Sequence, residues 1–173
     1  NTAVADEPVI FEEMVALLAK DGALILSELT PQDMNRLYMA VGVAGELDEF
    51  LEPLKDYLGA EEAILDRENV IEEMGDYEFY AEGLRTGAGI TREQCKEAYP
   101  GSPEDVAGMI YDPQSFSARV GADLCIAAGD VLDTVKRQCF YRKELEIARL
   151  CNALGRIDRG FEVLRSLHNI TFE

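Results

Sequence analysis

Two acidic motifs constrain this chain more than anything else in it: Gly45-Glu46-Leu47-Asp48-Glu49 and Glu72-Glu73-Met74-Gly75-Asp76. Glu46 and Glu49 are three residues apart, as are Glu73 and Asp76, so on helices each pair shares a face. The apolar residues around them, among them Leu47, Phe50, Leu51, Ile71 and Met74, recur at helical spacing. Two such helices packed antiparallel aim four negative charges at one small volume. Bare carboxylates repel there, and a hard divalent cation between them removes the repulsion. A single acid pair of this kind is usually a solvated helix face; two embedded pairs predict a magnesium site, and with it an enzyme.

Charge narrows the partners. The 173 residues carry a formal net charge of −18, which disfavours nucleic acid and anionic membrane surfaces. Residues 1–98 hold 23 acids against 7 lysines and arginines, whereas residues 99–173 hold 11 against 9. The excess falls in the half with the four carboxylates. No apolar run approaches the length needed to span a bilayer, and the N-terminus lacks a basic region followed by an apolar stretch. Cys95, Cys125, Cys139 and Cys151 have no CxxC spacing and His168 is the lone histidine, so zinc is disfavoured. Cys125, Cys139 and Cys151 have apolar neighbours and are expected as reduced core residues. A cytoplasmic location is the expectation.

The chain predicts helices throughout and no alternating strand. An opening helix is expected over residues 9–20, broken at Gly22. Thr30-Pro31-Gln32-Asp33 marks a start, with the proline at the first helical position. The helix that follows, to about Tyr57, carries Glu46 and Glu49, and Pro53 is expected to kink or end its last turn. A helix over about 67–86 carries Glu73 and Asp76 and stops at Gly87 and Gly89. Thr91-Arg92-Glu93-Gln94 has capping-box spacing. Residues 99–114, with Pro100, Gly101, Pro103 and Pro113, are expected as a linker. Helices over about 116–140 and 143–167 complete the chain. The fold class is all-α, with residues 1–98 as one repeat and 115–173 as a second packed on it in one compact domain.

The second half reads as a copy of the first. Residues 69–93 lie ungapped over 149–173 with seven identities in 25, including Gly75 with Gly155, Leu84-Arg85 with Leu164-Arg165, and Ile90-Thr91 with Ile170-Thr171. Upstream, Glu46 meets Asp130 and Glu49 meets Asp133. Ala153 stands opposite Glu73 and Arg156 opposite Asp76. The copy has thus lost two acids, and its arginine disfavours a cation. One intact site and one degenerate site are expected.

The segments Met39-Ala40-Val41-Gly42-Val43-Ala44-Gly45-Glu46-Leu47-Asp48-Glu49 and Glu72-Glu73-Met74-Gly75-Asp76-Tyr77-Glu78-Phe79-Tyr80 together resemble the MazG-like nucleoside triphosphate pyrophosphohydrolases. The phage-type branch, related to dimeric dUTPases, is most similar, since Met14 to Gly22 and Glu28-Leu29-Thr30-Pro31 also match its N-terminal segment. The likeness covers residues 9–99 directly. It implies an all-α bundle that hydrolyses a nucleoside triphosphate or deoxynucleoside triphosphate between its α- and β-phosphates. The products are the monophosphate and pyrophosphate. It also implies Mg²⁺, with Mn²⁺ as a substitute, held by Glu46, Glu49, Glu73 and Asp76, with Glu72 assisting. Single-repeat relatives build their bundle from two subunits, so the repeat implies a pseudo-twofold bundle within one chain and leaves room for a homodimer. Tyr38 stands where that branch often carries histidine, and the basic segment after the fourth helix is reduced to Lys96 and Tyr99.

Glu46 or Glu49 is the expected base. Cationic help for the leaving pyrophosphate is assigned first to Lys55, then to Arg85 and Lys96. Tyr77, Phe79 and Tyr80 are candidates to stack on a base, with core packing the expected role of Phe79. Glu-x-x-His pairs, which a di-iron bundle requires, are absent from the sequence. The remaining rival is a non-catalytic bundle that binds a nucleotide or a protein partner.

Overall fold

The computed structural model describes residues 22–59, 64–101 and 113–171. The helix expected over 9–20, the N-terminal match from Met14 to Asp21, and most of the linker expected over 99–114 lie outside them. Six helices account for nearly all described residues, with no strand among these: α1 (Gly22–Glu28), α2 (Pro31–Gly59), α3 (Arg67–Ala88), α4 (Arg92–Ala98), α5 (Pro113–Tyr141) and α6 (Ile147–His168). The chain divides into two units, Asn1–Thr30 and Pro31–Glu173. The first contains α1, a seven-residue helix with no buried side chain, where the sequence predicted only a break.

In the second unit, hydrophobic spacing sets the packing. Ala40, Val43, Leu47, Phe50 and Leu54 form one buried stripe on α2, and Val70, Met74, Tyr77, Ala81 and Leu84 form another on α3. Leu124, Ala127, Val131 and Val135 do the same on α5, as do Leu150, Leu154, Ile157, Phe161 and Leu164 on α6. Each large side chain so buried contributes about 1.5–3 kcal/mol. Helix α2 packs on both α3 and α5, α5 packs on α6, and α4 lies on α6. At the centre Phe161 meets Phe50 and Tyr77 edge-on, each at 4.9 Å between ring centroids, the geometry aromatic quadrupoles favour. Gly155 makes the α4–α6 contact possible, because a Cβ there would collide with the Cys95 carbonyl.

Local signals explain most boundaries. Asp66 caps α3 through Asn69 N–H, and Thr91 and Gln94 form the expected capping box on α4. Helices α3 and α6 are both 22 residues long and close on left-handed residues, Gly89 and Asn169, which are matched positions in the sequence alignment. Helices α2 and α5 are both 29 residues long.

Three expectations need correcting. Helix α2 continues through Pro53 to Gly59. An internal proline costs about 3 kcal/mol, but Pro53 and Leu54 are both buried, so core packing carries the helix past it. Helix α6 begins at Ile147 rather than 143, after Arg142 takes a positive φ of 54°. Cys125 is exposed, while Cys95, Cys139 and Cys151 are buried; all four are free thiols. Burial, with Cys151 beside it, pushes the Cys95 thiol up to about 11, so it stays protonated and inert. His168 packs edge-on against Tyr57 and lies 3.3 Å from the Ser117 hydroxyl. No described helix is long and apolar enough to cross a membrane.

Candidate functional site

Helices α2 and α3 bring the two acidic motifs together. One carboxylate oxygen from each of Glu46, Glu49 and Glu73 lies within 4.8 Å of the others. Asp76 falls outside that triad but close enough for its charge to act on both Glu46 and Glu73. Glu73 is buried, Glu46 half-buried, and Glu49 and Asp76 exposed. The cluster therefore opens to solvent at one side and rests on the core through Leu47, Phe50 and Met74.

The electrostatics are those of an uncompensated cluster. Burial raises the Glu46 pKa above the ordinary carboxylate value, and Glu49 and Asp76 raise it further, against a hydrogen bond with Glu73. Burial also raises the pKa of Glu73, helped by Glu49, Glu46, Glu72 and Asp76. Among the described residues, no lysine or arginine forms an ion pair with any of the four acids. The charge must be met by a proton or a bound cation.

The donor set suits a hard divalent ion, since carboxylate oxygens are what Mg²⁺ and Mn²⁺ prefer. Two oxygens on opposite sides of Mg²⁺, each at about 2.1 Å, are about 4.2 Å apart. A spacing of at most 4.8 Å needs only small side-chain shifts to close on such an ion.

The corresponding stretch of α5 and α6 has taken the opposite solution. Arg149 bonds Asp133 at 2.8 Å and Asp130 at 2.7 Å. Arg156 contacts Asp123, and Asp130 at 3.5 Å. Hydrogen bonds from Lys136 and Arg149 lower the pKa of Asp133. Guanidinium groups supply there the positive charge that the Glu46–Glu73 cluster lacks. The arginine expected at position 156 does carry this role, and Arg149, which the sequence reading did not single out, carries more of it.

An aromatic group lies along the same α2–α3 face. Tyr80 meets Tyr38 at 5.7 Å and Phe79 at 5.1 Å, both edge-on. Tyr80 reaches α2 because Gly42 has no side chain; a Cβ there would overlap the Tyr80 ring. A hydrogen bond with Tyr38 raises the Tyr80 pKa, and Glu46 and Asp76 act on it too. Tyr80 thus links the aromatic patch to the carboxylates. Phe79 is 62% exposed and Tyr77 only 1%, the reverse of the expected roles: Tyr77 packs in the core and donates to Asp158 Oδ1 at 2.8 Å.

The three cations assigned to the leaving group lie elsewhere. Lys55 is nine residues from Glu46, about half a turn round α2 at 3.6 residues per turn, and is exposed. Arg85 is completely buried; its Nη2 bonds both oxygens of Asp158, at 2.8 and 2.6 Å. Lys96 lines a cavity on the far side of α3, with Gly75 and Glu78 and none of the four acids. Lys55 thus lies on another face of the helix that carries Glu46, Arg85 is turned into the core, and Lys96 belongs to a different helix, α4. Comparison with models of known families, with curated proteins and with solved structures gives no match.

Proposed function

We propose that the chain is a Mg²⁺-dependent pyrophosphohydrolase of nucleoside or deoxynucleoside triphosphates, built on a MazG-like bundle of two tandem repeats related by a pseudo-twofold. The observation that carries this reading is the triad Glu46, Glu49 and Glu73, held within 4.8 Å with no cation paired to it among the described residues. The sequence likeness adds the reaction type, and the exposed ring of Tyr38 beside Tyr80 adds a surface on which a nucleobase can stack.

A divalent ion held by Glu46, Glu49, Glu73 and Asp76 supplies neutralisation of the phosphate oxygens and polarisation of the α-phosphorus. The protein's own groups do the rest. Water attacks the α-phosphorus, the bond to the bridging β-phosphate oxygen breaks, and pyrophosphate leaves with that bond's electron pair. Glu46 or Glu49 takes the water's proton. Tyr38 and Tyr80 orient the base two turns of α2 away from the carboxylates.

The placement of Lys55, Arg85 and Lys96 away from the acids favours a second reading, in which the bundle binds a nucleotide without hydrolysing it. A pyrophosphate-release assay over a panel of NTPs and dNTPs separates the two. We expect release with at least one nucleotide, dependent on Mg²⁺ and abolished by EDTA. Saturable nucleotide binding with no release for any member of the panel contradicts the hydrolase.

A further inference from the structure

A cavity of about 600 Å³ lies between α3, α4 and α6, on the side of α3 roughly opposite the acidic cluster. Its size falls within the roughly 300–1,000 Å³ typical of small-molecule sites. Its floor is apolar: Met74, Tyr77 and Phe161 are all buried there, the last two in edge-to-face contact. Gly75 and Gly155, a matched pair in the internal repeat, line it without side chains.

The charge around the cavity runs against that of the chain. Four cations line it, Arg92, Lys96, Arg159 and Arg165, against three acids, Glu78, Asp158 and Glu162. The acids are already committed. Asp158 is held by Arg85 and Tyr77, Glu78 pairs with Arg92, and Glu162 accepts from Arg159 at 3.0 Å. Lys96 has no ion-pair partner among the described residues, and the Nε of Arg159 is buried without a hydrogen-bond acceptor. A surface with a net charge of −18 has therefore gathered a local cationic surplus over an aromatic floor.

We propose that this cavity binds a small organic phosphate with a flat apolar body. The body rests on Tyr77 and Phe161, and the phosphate sits at Lys96 and Arg159. The site uses none of the four acids, so it stands whether or not the hydrolase reading does. Arginine suits the phosphate as a planar donor and lysine as a mobile point charge. Because Met74, Gly75 and Tyr77 lie beside Glu73 and Asp76 in α3, an occupant here touches the helix that carries half of the acidic cluster.

The test is calorimetric titration of the full chain in EDTA with AMP, UMP, phenyl phosphate and inorganic phosphate. Chelation keeps divalent ions from contributing. We expect saturable binding of at least one of the three aromatic phosphates, at least tenfold tighter than inorganic phosphate. Lys96→Glu, an exposed position, is expected to weaken it at least tenfold, while Glu73→Gln leaves it unchanged. Thermal unfolding of each variant verifies that it is folded. Three results each overturn the proposal: no saturable binding of any aromatic phosphate, equal affinity for inorganic phosphate, or binding indifferent to Lys96→Glu. Loss of binding in Glu73→Gln places the ligand at the acidic cluster and overturns it as well.

Discussion

Glu73→Gln is expected to cut pyrophosphate release by at least about 1,000-fold, since a divalent ion's charge stabilisation is worth several kcal/mol and each 1.36 kcal/mol is tenfold in rate. The same substitution is expected to raise the melting temperature of the metal-free protein. Glu73 is 9% exposed, and its pKa is raised by burial and by Glu49, Glu46, Glu72 and Asp76. A carboxylate whose pKa is raised on folding contributes stability below its unfolded pKa and loses that contribution as pH rises through the folded value. At neutral pH its ionised form therefore works against the fold. Glutamine keeps the shape and removes the charge. For a chain of this length, each kcal/mol of repulsion removed corresponds to about 2–4 °C. Added Mg²⁺ is expected to stabilise the wild type and to have little effect on the variant. Differential scanning calorimetry with EDTA and with Mg²⁺ measures both arms. A variant less stable than wild type in EDTA, with Mg²⁺ stabilisation intact, contradicts the reading of this cluster.

Arg85→Met is expected to cost about 3–5 kcal/mol of stability, the usual consequence of removing one member of a buried ion pair. Arg85 is completely buried on α3. Burial alone would lower its pKa, yet Asp158 and the Tyr77 hydroxyl raise it, so it remains charged. Removing it strands Asp158 on α6, which keeps only the Tyr77 hydroxyl at 2.8 Å. The double replacement Arg85→Met, Asp158→Leu is expected to recover part of the loss, because it removes the stranded charge but leaves the buried Tyr77 hydroxyl without its acceptor. Urea denaturation of the two variants measures this. A loss below about 1 kcal/mol for Arg85→Met would show that the pair does not join α3 to α6.

These two residues also mark what was legible in the sequence. Glu46, Glu49 and Glu73 could be read as neighbours because the spacing within each motif sets its helix face and the family likeness pairs the two motifs; Asp76 falls just outside their triad. The capping box at Thr91 and the left-handed closure at Gly89 were likewise legible from local spacing. Arg85 was not, because its burial depends on Asp158, 73 positions away, and no local pattern announces a partner at that distance. Lys55 was assigned to the acids by its place two turns beyond Glu46, whereas helical rotation turns it to the other face of α2; Lys96 belongs to α4, which packs on α6. Pro53 misled because intrinsic propensity is overridden where a side chain is buried. Tyr77 and Phe79 exchanged roles because both fit an apolar stripe, and only packing against Phe161 decides between them. Arg149 had a discoverable signal: it precedes Arg156 by seven residues, two helical turns, and so shares its face toward Asp130.

Mn²⁺ titration followed by electron paramagnetic resonance asks whether Glu46, Glu49, Glu73 and Asp76 form a divalent cation site. Free Mn²⁺ gives a sharp six-line signal that diminishes on binding. We expect saturable depletion of that signal by the wild-type protein, reversed by excess Mg²⁺ and lost in the Glu49→Gln, Glu73→Gln double variant. Depletion that persists undiminished in the double variant, or no depletion by a folded wild-type protein at millimolar Mn²⁺, would contradict it.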